Sequence, residues 1–144
     1  MTESTSEFLT KRLLVFLQNP WTRRRVYPGK PWDDAQWEAA LWESHSGIRL
    51  RTLLEPAFCS YRVRNACPIP TPQVDGLRRP DPIYVRTQIE DYQPHVLLLC
   101  GVQARAIATM GFNRPFVTMP HPAYRLLSNR ALHEIREQLH FRLE

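Results

Sequence analysis

Four short strand-like runs, three apolar and one alternating, separated by connections long enough to hold a helix, constrain the fold of this 144-residue chain more than any other feature. The runs are Leu13 to Leu17, Tyr61 to Ala66, His95 to Cys100 and Phe116 to Met119. Adjacent antiparallel strands can be joined by a two-residue turn, whereas a parallel pair needs a crossover of about a dozen residues or more, usually a helix. Continuous apolar runs bounded by turn signals suit strands covered on both faces. The pattern therefore predicts an α/β protein: a three-layer α/β/α arrangement around a central, mainly parallel four-stranded sheet. Residues 1–144 are expected to form one domain, since the chain is too short for two ordinary cores, with residues 1–10 frayed.

Local signals fill in the helices. Asp33-Asp34 supplies cap chemistry for a helix carrying Trp37, Ala40 and Leu41 on one face, and Ser46 is a candidate cap for the next, with Ile48, Leu50, Leu53 and Leu54 as its apolar positions. Pro68, Pro70 and Pro72 force an extended loop that runs to about Asp81. Pro82 to Tyr92 reads as a helix with Ile83, Val85 and Ile89 as its apolar positions. Gly101 permits a tight turn into a helix from Val102 to Met110. Leu132, Ile135, Leu139 and Leu143 mark the inner face of a last helix.

Charge and cysteine usage narrow the class. The net charge of +5 is carried by arginine, with only Lys11 and Lys30 as lysines. Arginine forks suit phosphate oxygens and base edges, so a polyanionic partner fits this charge, and so does a plain solvated arginine-rich surface. Cys59, Cys67 and Cys100 form no CxxC pair and are one too few for a four-ligand zinc or iron–sulfur site, so they read as reduced core thiols and no cofactor is expected. No signal peptide or membrane span is visible, which predicts a cytoplasmic protein with no membrane contact, and the chain is expected to be a monomer. No phosphate loop of the Gly-x-x-x-x-Gly-Lys or Gly-x-Gly-x-x-Gly type occurs, which weighs against a nucleotide-using enzyme.

Three segments follow apolar runs and so fall where parallel sheets place ligand sites: Gln18-Asn19-Pro20-Trp21, Arg64-Asn65-Ala66-Cys67-Pro68, and Met119-Pro120-His121-Pro122-Ala123-Tyr124. Taken in order with Gly29-Lys30-Pro31-Trp32, Ser46-Gly47-Ile48-Arg49-Leu50 and Pro94 to Ala104, the chain from Leu13 to Leu139 resembles the uracil-DNA glycosylase superfamily. Its C-terminal half is most similar to the iron–sulfur branch, on His121-Pro122-Ala123-Tyr124 and the leucine-bearing turn after it. There are departures. Gln18 stands where that branch has its acidic water-activating residue, the N-terminal cysteine pair is absent, and Asn19-Pro20 is instead similar to the Asn-Pro of the mismatch-specific and single-strand-selective branches. The flanking glycines of those branches are missing, and residues 33–45 have no counterpart in the pattern.

The resemblance implies base flipping and hydrolysis of an N-glycosidic bond. It gives Asn65 the reading of a pyrimidine edge, since an amide offers both a donor and an acceptor. It gives His121 a hydrogen bond to O2 of the departing base. Asn19 or Gln18 would orient the water, which an amide does without acting as a base. Trp32, or Trp21 as second choice, would stack on the base. Arg125 and Leu126 would fill the vacated stack, and Arg23, Arg24, Arg25, Arg78 and Arg79 would hold phosphates. Beside these stand plainer readings: an Asx turn at Asn65, a simple turn at Asn19-Pro20, a solvated loop at Arg23 to Arg25. A degenerate protein that binds DNA or nucleotides without hydrolysis is the main alternative, favoured by Gln18 and by the bulk of Trp21.

Overall fold

A computed structural model describes residues 11–18, 21–22, 38, 41–54, 59–69, 71–72, 78–122, 124 and 126–143. In chain order its elements are β1 (Arg12–Leu17), β2 (Trp21–Thr22), α1 (His45–Leu54), β3 (Ser60–Asn65), β4 (Thr71–Pro72), α2 (Pro82–Tyr92), β5 (Val96–Cys100), α3 (Val102–Arg105), a 3-10 turn (Ala106–Thr109), β6 (Phe116–Met119) and α4 (Asn129–Leu143). The four long strands form one sheet in the order β3-β1-β5-β6, every pair parallel. All four expected strands are present, with ends shifted by one residue at most.

The pleat explains why Leu13 to Leu17 and Val96 to Cys100 are apolar throughout. Leu13, Val15 and Leu17 of β1 face a core shared with Val63, Val96, Leu98 and Cys100, closed by Leu50, Leu53 and Leu54 of α1 and by Leu132, Ile135, Leu139 and Leu143 of α4. Leu14 and Phe16 point the other way, with Leu97 and Leu99, onto Val85 and Ile89 of α2 and onto Ala104 and Ile107. A central strand covered on both faces has no polar side, and β5 is buried at all five positions. The chain is thus three-layered: α1 and α4 on one face, α2 and α3 on the other.

Several local expectations are corrected. Ser44, not Ser46, caps α1: its Oγ accepts from the Gly47 N–H at 3.0 Å and donates to the Leu41 carbonyl at 2.6 Å. Two of the apolar helix positions face solvent: Ile48 and Ile83 are 57% and 78% exposed. Each lies two residues from a buried position, Leu50 and Val85, and two residues carry a helical side chain about 200° around the axis. The helix after Gly101 is α-helical only to Arg105 and then tightens into the 3-10 turn. The proline-rich loop is interrupted by β4, which pairs in parallel with β2. The caps proposed at Asp33-Asp34, and Trp37 and Ala40, lie outside the described residues. Leu41 is buried, and Trp42 packs edge-on to Tyr61 at 6.3 Å between ring centres.

The helix from Pro82 to Tyr92 is as expected and its ends are well determined. Asp81 Oδ1 accepts from the Ile83 and Tyr84 N–H groups, proline stands in the first turn, and Gln93 closes the helix in a left-handed conformation. All three cysteines are free and buried, as core thiols should be. Burial pushes the Cys59 thiol up to about 11 and raises Cys100 further, so neither is a reactive thiolate near neutral pH.

Candidate functional site at the carboxyl edge of the sheet

The strand order decides where a site belongs. From β1 the chain crosses to β3 on one side, then returns past β1 to build β5 and β6 on the other. The carboxyl ends of β1 and β5 therefore flank a reversal of winding direction, the place at which open α/β sheets hold their ligands. Gln18 directly follows β1 and Gly101 directly follows β5.

Gln18 lies across this crevice. Gly101 has a φ of +96°, and a Cβ built on it would sit 2.9 Å from Gln18 Cδ and 3.2 Å from its Oε1. The same Oε1 accepts, at 3.5 Å, from the Gln103 N–H in the first turn of α3. Glycine is thus required at 101 twice over: for the left-handed backbone and for the side chain resting on it. Gly101→Ala is expected to cost about 2 kcal/mol, seen as a lower Tm. Adding Gln18→Ala should recover only the contact and leave the backbone cost in place.

The loops after β1 and β3 are tied together by backbone. Beyond the strands the ladder continues, with Ala66 N–H donating to Leu17 O and Cys67 N–H to Gln18 O, both at 3.0 Å. Farther out, Trp21 pairs with Thr71 and Thr22 with Pro72. Asn65 sits at the end of β3 beside this seam, in register with Leu17 and so on the α1 and α4 face. It is 5% exposed. Among the described residues its side-chain amide makes no hydrogen bond, and it is not one of the polar groups sealed inside the protein. The Asx turn is not formed, because the Cys67 N–H that would close it is given to Gln18 O.

The third loop follows β6, which lies two strands beyond β1. At about 4.8 Å per strand its start is about 14 Å from the end of β3, on the same edge of the sheet. Arg49 of α1 reaches this loop: Nη1 donates to Pro122 O at 3.0 Å and to Tyr124 O at 2.7 Å, and Nη2 donates to Leu127 O. The loop that carries His121 is therefore held against α1, the face on which Asn65 lies. His121 is half-buried, and its carbonyl accepts from the Tyr124 N–H at 2.8 Å. Leu126 stands out at 77% exposure on the segment that Arg49 braces. Arg49 is the contributor that sequence reading missed; Ser46 to Leu50 drew notice as a helix, and nothing local marks one arginine on it as a loop clamp.

Burial holds the His121 imidazole below its ordinary 6.5, so it is neutral at pH 7. His95 is lowered too, by burial and then by Arg12, Lys11 and Arg114, and its Nδ1 accepts the Arg12 N–H at 3.0 Å. In the unfolded chain both titrate near 6.5, and in the folded protein lower. Above 6.5 neither affects stability; as pH falls below 6.5 the unfolded state binds protons first and stability drops. A Tm-against-pH series should fall through this window and flatten in the His95→Asn, His121→Asn double variant.

Of the other expected site residues, Asn19, Trp32, Arg23, Arg24, Arg25 and Arg125 lie outside the described residues, as does the side chain of Trp21. Arg79 is exposed and Arg78 half-buried, both just ahead of α2. Among the described residues no three His, Cys, Asp or Glu side chains gather where a metal ion would sit, and no helix is long and apolar enough to cross a membrane.

The fold is an open three-layer α/β protein, with Asn65 at the end of β3 and His121 on the loop after β6, both at the carboxyl edge of the sheet. No protein-family model and no curated protein matches the chain.

Proposed function

We propose that this chain is a DNA glycosylase-like protein that takes uracil or another modified pyrimidine out of the stack and hydrolyses its N-glycosidic bond. The observation that carries the reading is Asn65: a nearly buried amide with no hydrogen bond among the described residues, at the mouth of the sheet. The amide is mostly covered yet not sealed, so its hydrogen-bonding groups stay within reach of a ligand edge. Its carbonyl and NH₂ match the donor and acceptor edge of a uracil ring.

The neutral His121 supports the second role. A neutral imidazole donates through one N–H, which suits a base leaving with negative charge on O2 in a site shielded from water. Leu126, held out on a braced loop, suits the wedge that replaces a flipped base, with Arg125 beside it in sequence. Trp32 or Trp21 would stack on the base, Asn19 or Gln18 would orient the water, and Arg23, Arg24 and Arg25 would meet phosphates.

Free-base release from a uracil-containing oligonucleotide tests this. Asn65→Ala and His121→Ala should each lower the rate by roughly a hundredfold or more, in the range of losing a positioned donor. Asn65→Ala should do so with Tm little changed, because the amide makes no hydrogen bond among the described residues. Full activity in both variants would reject the assignment.

One observation favours a second reading, a base-binding protein without hydrolysis. The Gln18 carbonyl oxygen is engaged by the Gln103 N–H, and an amide there cannot take a proton from water. This reading predicts steeply salt-dependent DNA binding with no base release.

A further inference from the structure

Away from the strand-end cleft, a groove of about 330 Å³ runs between β6 and the last turns of α4, lined by Phe116, Val117, Glu137, Gln138, Phe141 and Arg142. Phe141 is 71% exposed and Phe116 42%. Leu132, Ile135, Leu139 and Leu143 make the stripe that seats α4 on its own sheet. Phe141, two residues from Leu139, is turned about 200° away from that stripe and contributes nothing to it. β6 is an outer strand of the sheet, and among the described residues nothing pairs with its far side. An open strand edge flanked by exposed aromatics is a template for another chain.

From this we infer that the groove is a two-fold interface between two copies of this protein. The occupant is given by the order of charges on α4. Two α4 helices laid antiparallel about an axis beside Leu139 and His140 set Glu137 opposite Arg142 of the partner subunit, and the reverse. The same apposition sets Gln138 opposite Phe141 of the partner subunit. A parallel apposition would bring like charges together. The same axis runs the two β6 edges antiparallel, so their outward N–H and C=O groups can join into one sheet with Phe116 at the seam. Glu137 also lies 3.5 Å from His133 on its own helix, but as a solvent-exposed pair that leaves the carboxylate open to a partner. The seam is at the amino end of β6, opposite the candidate site, and it replaces the monomer that the sequence suggests.

Sedimentation over a wide range of concentration tests the inference. The chain of 16.9 kDa should sediment at twice that mass. Glu137→Arg and Arg142→Glu should each weaken association at least tenfold while circular dichroism stays unchanged. The double variant, with the charges exchanged, should restore it. A wild-type monomer at every concentration, single variants that still dimerise, or a double variant that stays monomeric would each overturn the proposal.

Discussion

Gly47→Ala is expected to be the most damaging single-methyl change in the described part of the chain, lowering stability by about 3 kcal/mol and Tm by roughly 10 °C. The sign is opposite to the ordinary one, since alanine in a helix is favoured over glycine by about 0.8–1.0 kcal/mol. The reversal comes from where the helix begins. A Cβ on Gly47 would stand 1.9 Å from the Leu41 carbonyl oxygen, 2.7 Å from its carbon and 3.0 Å from Trp42 Cα, all backbone atoms. That oxygen already accepts from the Ser44 N–H at 2.9 Å and the Ser44 hydroxyl at 2.6 Å. To admit a methyl, the corner joining residues 41–43 to α1 must open and the Ser44 cap must break. Thermal unfolding of Gly47→Ala beside Ser44→Ala checks this: the cap variant alone should cost about 1 kcal/mol, and a Gly47→Ala protein as stable as wild type would refute the close approach.

Arg49→Ala should have the second largest effect, and a different one. Its guanidinium satisfies the carbonyls of Pro122, Tyr124 and Leu127, three points on the loop that carries His121. A charge-assisted hydrogen bond contributes about 1.5–3 kcal/mol when sheltered, and Arg49 is only half-buried, so a total of about 2 kcal/mol is the reasonable expectation. Lysine should not rescue the loss, because one ammonium cannot meet three carbonyls spread around a planar fork. Amide hydrogen exchange should show faster opening at Tyr124 and Leu127 while β1 and β5 keep their protection. If the proposed function holds, base release in Arg49→Ala should fall well beyond the loss of stability, since the loop that carries His121 loses its anchor on α1. Unchanged exchange in the loop would remove Arg49 from the account.

These two residues show how unevenly the site could be read in advance. Gly47 and Arg49 both fall in a stretch that looked like an ordinary helix, and their importance depends on atoms six to seventy-eight positions away in the chain. Asn65 and His121 drew notice as candidates because one falls at the end of a strand-like run and the other just after one, and the structure places them at the ends of β3 and β6. The direction in which Gln18 turns was not legible. Its amide settles on Gly101 and α3 because the strand next to β1 on that side is β5, a pairing that no local pattern encodes.

Taken alone, the sequence determined the strands, the parallel sheet and the inner face of α4, because burial on one or two sides writes a period into the residues themselves. It also determined that the cysteines are core thiols. Tertiary structure decided the order β3-β1-β5-β6, the winding reversal between β1 and β5, the joining of the first two loops by Trp21 and Thr71, and the anchoring of the third by Arg49. Periodicity records how much of each residue is covered; which element does the covering is fixed only when the whole core closes, by shape and by hydrogen bonds between segments far apart in the chain.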